Sequence, residues 1–262
     1  MNILDTIIAN KREEVKLRKA NTGIAALEQS VYFNRTPLSL RQFLLDETRT
    51  GIIAEFKRKS PSKGIINAQA TVEEVTSAYA QAASGISVLT DEAFFGGTMA
   101  DLQKARFNQV PILRKDFMID EYQVIEAKSI GADVILLIAA CLSPKEVKQL
   151  ATVAKGLGLE VLLEIHNEEE LQHVCDEVDC VGVNNRNLKT FDVSIQTSLN
   201  LINKIPTDKI AVAESGISNV DTIVTLRNAG FRGFLIGENF MKQPNPAIAF
   251  ADFVHQLKTK PV

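Results

Sequence analysis

Charged side chains stand at the ends of short apolar runs throughout this sequence. The run Gly51-Ile-Ile-Ala-Glu-Phe-Lys57 begins as a β-branched strand and turns charged without losing its alternation, so Ile53, Glu55 and Lys57 share one side. Pro111-Ile-Leu-Arg-Lys115 ends in a lysine on the face of Leu113, and Val161-Leu-Leu-Glu-Ile-His166 puts Glu164 on the face of Leu162. Val181-Gly-Val-Asn-Asn-Arg186 ends in Asn184 and Arg186, and Ile210-Ala-Val-Ala-Glu-Ser215 ends in Glu214 and Ser215. An ammonium among carboxylates is equipment for acid–base chemistry, because opposite charges a few ångströms apart hold each other ionised and tune each other's pKa. One such strand end reads equally as a solvated fray. Recurrence at several strand ends argues for a site.

Two further groups of residues suggest what the site holds. Ser215-Gly216 and Gly237-Glu238 follow the last two apolar runs, where backbone N–H groups commonly cradle phosphate, and Ser60 and Lys57 are placed to reach the same anion. Phe94-Phe95-Gly96-Gly97 and Phe117 offer aromatic walls for a flat apolar ring, although Phe94 suits helix–strand packing as well. His166 reads as a rim residue, and His173 and His255 as surface residues on helices.

The elements that must position these groups alternate in type. Strands are expected from 51 and at 86–89, 111–115, 134–138, 160–165, 180–183, 210–214 and 233–236. Helices are expected at 71–83, 99–107, 121–130, 143–156, 168–175, 194–205, 218–228 and 247–257. Eight strand–helix units in 262 residues predict an α/β fold, a single (β/α)8 TIM barrel; an open doubly wound sheet would want a glycine-rich G-x-G-x-x-G turn, which is absent. Barrel interiors are layered from alternate strands, so Glu55, Lys115, Glu164 and Glu214, from strands one, three, five and seven, predict one inward layer. Burying such charges without use is costly, so a purely structural ion-pair layer is the weaker reading.

One domain over 1–262 is expected, with an N-terminal helical extension at 1–48 and the barrel at 49–262. Within the extension, 2–19 predicts an amphipathic helix with Ile3, Ile7, Ile8 and Val15 on one stripe and the Lys/Arg/Glu run on the other face; 39–46 predicts a second, short helix. Whether the extension is a lid, a plug or a cover for the bottom face stays open.

Composition bounds the setting. The chain is 45% hydrophobic and 23% charged with a net charge of −3, which suggests neither a nucleic-acid nor a membrane surface. The opening segment lacks the apolar core of a signal peptide, and three cysteines, Cys141, Cys175 and Cys180, read as reduced thiols, so a cytoplasmic location is expected. No clustered histidines accompany the cysteines, so no metal site is expected.

The stretches IAEFKRKSPSKG, LTDEAFFGG, PILRKDF, VLLEIH, VGVNNRNL, AVAESGI and FLIGENFM resemble the motifs of the indole-3-glycerol phosphate synthase family of tryptophan biosynthesis, and the resemblance covers essentially the whole chain. It implies a monofunctional carboxy-lyase that turns 1-(2-carboxyphenylamino)-1-deoxyribulose 5-phosphate into indole-3-glycerol phosphate with loss of carbon dioxide and water. It implies Lys115 as general acid at the ketone, Glu164 and Glu55 as proton carriers, and Lys57 as a substrate contact or second acid. Asn184 and Glu214 orient these groups, and Arg186 pairs with the benzoate carboxylate. Ser60, Ser215, Gly216, Gly237 and Glu238 fall at phosphate positions, Glu238 through its backbone N–H. No cofactor is implied. Loose association with other tryptophan-pathway enzymes is compatible with it. Gly97 stands where the family usually has serine, and Asn239-Phe240 replaces a commoner Ser-Leu. Two rivals are a phosphoribosylanthranilate isomerase, disfavoured because Glu55 and Asn184 stand where it needs cysteine and aspartate, and a non-catalytic phosphate-binding barrel, which would not need the Lys115–Glu164 pair.

Overall fold

The computed structural model describes residues 3–187 and 190–260, so Asn2 of the expected first helix and Leu188 of the NNRNL stretch lie outside the described residues. The chain opens with helices α1 (Ile3–Asn21), α2 (Ile24–Glu28) and α3 (Leu40–Leu45). Ser39 caps α3 by accepting a hydrogen bond from the Gln42 N–H. The five-residue α2 carries no side-chain cap, so nothing in the sequence announced it.

Eight parallel strands follow: β1 (Ile52–Phe56), β2 (Gly85–Leu89), β3 (Ile112–Lys115), β4 (Val134–Ile138), β5 (Glu160–Ile165), β6 (Cys180–Asn184), β7 (Ile210–Glu214) and β8 (Gly233–Ile236). Each pairs with its neighbours in sequence, and β8 returns to β1 with Ile52 opposite Phe234, which closes the barrel and rules out the open sheet. The covering helices are α4 (Val72–Ala80), α5 (Glu92–Phe95), α6 (Met99–Ala105), α7 (Glu121–Ser129), α8 (Pro144–Gly156), α9 (Gln196–Leu201), α10 (Val220–Ala229), α11 (Glu238–Met241) and α12 (Pro246–Lys258). Thr71, Thr98, Asp120, Ser143, Asn219 and Asn245 each cap their helix through a side-chain oxygen.

Three expectations need correction. The helix expected over 168–175 is only a 3₁₀ segment, Glu169–His173. Asn167 and Glu170 exchange side-chain and backbone hydrogen bonds there, and Glu170 also takes the His166 N–H at 2.7 Å, so local side-chain bonding displaces an α-helix. His173, expected at the surface, is buried, with its two ring nitrogens 2.9 Å from the carbonyl oxygens of Glu170 and Leu142. The helix expected over 194–205 shortens to α9 followed by a 3₁₀ turn, Ile202–Lys204. In addition, the loop after β1 contains a small hairpin that pairs Lys59 with Ile65 and Ser60 with Gly64.

The two ends of the barrel are closed by different helices of the extension. Leu40 and Leu44 of α3 pack among Ile53, Leu113, Leu162 and Val212, the innermost side chains at the bottom of the barrel. The Ser39 hydroxyl and the Arg41 N–H both reach the carboxylate of Glu160, at the start of β5. At the other end Ile3, Leu4 and Ile7 of α1 line the cavity above the strand C-termini. Plug and lid are thus both present, one in each helix. The α1 stripe also differs from expectation: the fully buried positions are Ile7, Lys11 and Val15, so one lysine assigned to the polar face lies inside.

Candidate active site

The inward layer forms as alternation requires. Ile53, Leu113, Leu162 and Val212 lie in the inner core, and two residues further along the same strands stand Glu55, Lys115, Glu164 and Glu214. The Lys115 ammonium is 3.0 Å from Glu164 Oε2 and 3.6 Å from Glu214 Oε2. Lys57 lies 2.8 Å from Glu55 Oε1, and the Ser87 hydroxyl donates to the other oxygen of Glu55 at 3.4 Å. Asn184 donates its side-chain N–H to Glu164 Oε1 at 3.1 Å, while its own oxygen accepts the Arg186 N–H at 3.0 Å. Arg58 anchors the start of the β1 loop with a two-pronged contact to Asp101 at 2.6 and 2.9 Å.

The electrostatics depart from the idea that mixed charges keep every member ionised. Burial opposes the charge on Lys115, but Glu164, Glu214 and Glu55 outweigh it and raise its pKa above the ordinary lysine value. Glu164 is also buried, yet Lys115 and His166 hold its carboxyl well below the usual range. Glu214 goes the other way: burial, with Glu164 and Glu55 adding repulsion, pushes it up to about 8 against the pull of Lys115. One ammonium therefore sits between an ionised carboxylate and one that carries its proton near neutrality. His166 Nε2 is 3.3 Å from Glu164 Oε1 and Nδ1 is 3.3 Å from Glu170 Oε2; burial lowers its pKa but both carboxylates raise it, to about 10. It is an imidazolium braced against a carboxylate of the layer, more than the ordinary rim residue expected.

The cavity above this layer has two ends. The first is walled by Phe95, Phe117, Leu89, Leu136, Ile138, Pro61, the α1 residues and Phe191, and it also receives Ser60. Phe95 and Phe117 face each other with ring centroids 6.0 Å apart. The second end is bounded by Gly216, Gly237, Lys63 and Lys242, and Ser215 and Glu238 line both ends. Lys57, Arg186 and Phe191 border both ends. Ser60 lines the first end together with Lys57, Ser215 and Glu238, three of the residues expected to share its anion. Arg186 Nη2 lies 3.8 Å from Glu238 Oε2. A Cβ at Gly237 would stand 2.6 Å from Glu55 Oε1, so only glycine leaves this carboxylate its place. At Gly97 a Cβ would stand 2.0 Å from the Leu89 carbonyl oxygen, so this loop takes a path closed to any side chain.

Sequence reasoning missed several lining residues. Lys63 and Lys242 carried no signal beyond being surface-type lysines. Phe191 holds φ at +63°, a left-handed conformation rare for an aromatic residue and invisible to composition. Lys11, which is buried and does not line the cavity, was missed as well although it had a signal: it is four residues from both Ile7 and Val15 on the buried stripe.

A family model described as indole-3-glycerol phosphate synthase matches residues 4–253. The chain belongs to that family. A curated indole-3-glycerol phosphate synthase of Bacteroides thetaiotaomicron is 49% identical over 260 residues, covering 98% of this chain and 99% of the relative. Those of Verminephrobacter eiseniae and Polaromonas sp. are 40% and 41% identical, each over 95% of this chain and at least 97% of the relative. Family members thus run nearly the whole length of the chain, its N-terminal helices included.

Proposed function

We infer that this protein is an indole-3-glycerol phosphate synthase, a carboxy-lyase of tryptophan biosynthesis. It closes the ring of 1-(2-carboxyphenylamino)-1-deoxyribulose 5-phosphate and releases carbon dioxide and water. The observation that carries the reading into chemistry is the Lys115 ammonium, 3.0 Å from Glu164 at the floor of a cavity whose two ends differ in character. The aromatic end suits the benzoate ring. The glycine-bearing end, rimmed by lysines, suits the phosphate.

Ring closure asks the ring carbon that bears the carboxylate to attack the ketone. Negative charge grows on the ketone oxygen and aromaticity is lost. Lys115 is the group to meet that charge and deliver its proton, since an alkoxide is a far stronger base than an amine. Loss of carbon dioxide then restores the aromatic ring. Dehydration needs a proton on the departing hydroxyl and removal of one from carbon or nitrogen; Glu164, Glu55 and Lys57 are in place for these transfers. Asn184 and Glu214 orient them, and Arg186 offers a planar fork to the benzoate carboxylate. Ser215, Gly216, Gly237 and Glu238 suit phosphate by backbone N–H, and Phe95 and Phe117 suit the ring. Ser60, which lines the cavity with Lys57, Ser215 and Glu238, suits the same phosphate. The three unpaired cysteines are in keeping with a cytoplasmic setting.

Lys115→Met tests this. It keeps the apolar bulk of the side chain and removes only the ammonium. Loss of a general acid costs about 10²–10⁴ in rate, or ~3–5 kcal/mol at ~1.4 kcal/mol per decade. The assay follows indole fluorescence, and the chain contains no tryptophan to obscure it. A folded variant that closes the ring within about threefold of the parent, far short of that loss, removes Lys115 from the role. A parent that yields no indole fluorescence overturns the activity itself.

A further inference from the structure

We propose that Lys11, on the N-terminal helix, is a positioning residue for Lys115, acting through the aspartates that end β2 and β3. Lys11 is fully buried although it is a lysine of an otherwise polar helix. Its ammonium is 2.9 Å from Asp91 Oδ2 and 2.8 Å from Asp116 Oδ1. Asp116 directly follows Lys115, and Asp91 lies two residues beyond Leu89, the β2 partner of Lys115.

Each aspartate has a second task at the site. Asp116 Oδ1 accepts the Phe117 N–H at 2.8 Å, and Asp91 Oδ1 accepts the Phe94 N–H at 2.8 Å and so caps α5, which carries Phe95. The same two aspartates that hold Lys11 therefore set both aromatic walls as well as the strand end that presents Lys115. Asp116 Oδ2 accepts from Thr90 at 2.6 Å and from Arg114 at 3.2 Å. Arg114, the residue before Lys115, passes to Glu126 at 2.7 Å; Glu126 meets Arg18 at 3.1 Å; Arg18 meets Glu14; and Glu14 returns to Lys11 at 2.8 Å.

The result is a closed ring of alternating charge: Lys11, Asp116, Arg114, Glu126, Arg18 and Glu14. Three of its members belong to α1, two flank Lys115 on the outward face of β3, and one belongs to α7. The links of Lys11 are close ion pairs rather than aligned hydrogen bonds, since its ammonium and Asp91 Oδ2 have no hydrogen-bond partner among the described residues. Removing one member of a buried ion pair strands the charge of the other. Burial works against the charge on Lys11, but Asp116 and Asp91 outweigh it, so the ammonium is retained. Removing it leaves Asp116 short of a cation at the backbone unit next to Lys115. A shift of about 1 Å in a catalytic group costs on the order of a hundredfold in rate.

The inference rests on Lys115 being the acid, and the test separates the two. Lys11→Met, Asp116→Asn, the double variant and Lys115→Met are assayed for ring closure at saturating substrate, well below each thermal midpoint. Lys11→Met is expected to lower kcat about 10–100-fold, the cost of a displaced catalytic group. The isosteric Asp116→Asn, which does not depend on α1 tolerating an apolar substitution, is expected to do likewise. The double variant should be no worse than the worse single, because both act through one link. If Lys11 only latches the roof, KM rises and the midpoint falls while kcat stays at the parent value, and the inference is overturned alone. If Lys115→Met keeps the parental kcat, the acid assignment falls and takes the inference with it.

Discussion

Glu164 and Glu214 lean on the same ammonium and differ in charge state. The difference lies in their other neighbours. Glu164 has His166 and the Asn184 amide, whereas Glu214 faces Glu164 and Glu55 across a buried layer. The His166 imidazolium thus helps decide which carboxylate of the layer stays ionised. Its pKa in the folded protein, about 10, exceeds the value of about 6.5 expected when unfolded. A raised pKa contributes stability that is fully present below the unfolded value and is lost as pH climbs through the folded one. The gap in thermal midpoint between parent and His166→Gln is therefore expected to be widest at pH 6 and to narrow steadily toward pH 10. A gap that is flat or widens with pH would remove the charged histidine from the account. Arg186 gives a second prediction at this scale. A point ammonium cannot reproduce a two-pronged contact to a carboxylate, so Arg186→Lys should lower kcat/KM with little change in thermal midpoint. An unchanged kcat/KM would leave Arg186 a rim residue.

At the scale of elements, the extension is divided between the two mouths of the barrel. α3 supplies Leu40 and Leu44 as a bottom plug, directly beneath the apolar layer on which the charged layer rests. Leu40 Cδ1 would stand 2.8 Å from a Cβ at Gly85, so the plug fits a space that β2 leaves by lacking a side chain. Leu40→Ala is expected to cost roughly 2–5 kcal/mol, the range for truncating a fully buried leucine. A denaturant melt measures it, and a loss under about 1 kcal/mol would show that the bottom collapses onto the smaller residue. At the opposite mouth α1 contributes Ile3, Leu4 and Ile7 to the cavity and Lys11 to the ring of charge around β3. The roof of the cavity and the charge partner of Asp116, next to Lys115, belong to one helix.

At the scale of the whole molecule, titratable side chains of both signs gather at one mouth of the barrel. Lys115, Lys57, Glu55, Glu164 and Glu214 converge from four strand ends on one cavity. Among the described residues no group of three or more histidine, cysteine, aspartate or glutamate side chains is placed to hold a metal ion. Turnover is accordingly expected to survive exhaustive chelation. Loss of activity that one metal restores would mean that the ammonium does not work alone. None of the described helices is long and apolar enough to cross a membrane.

The barrel and most of its active layer were legible in the chain itself, for a local reason. A strand's two-residue period and a helix's caps are properties of neighbouring residues, so Ile53 predicted where Glu55 would point, and Thr71 or Ser143 where a helix would start. The alternate-strand layering of a barrel then joined Glu55, Lys115, Glu164 and Glu214 without any coordinates. Residues whose role comes from distant partners were not legible. The spacing of Lys11 from Ile7 and Val15 could have marked it as buried, but nothing near it in the chain pointed to Asp91 and Asp116, 80 and 105 positions away. His166 shares the strand face of Glu164, but nothing in the chain showed that it would brace Glu164 and Glu170 rather than sit at the rim. His173 had no sign of its carbonyl partners, and the helix over 168–175 gave way to bonds between Asn167 and Glu170 that its periodicity did not weigh. The assignment of α1 to the mouth and α3 to the base was also a tertiary decision. Both are amphipathic, and an apolar stripe states only that it will be covered, while the shape and charge of the surface it meets decide where.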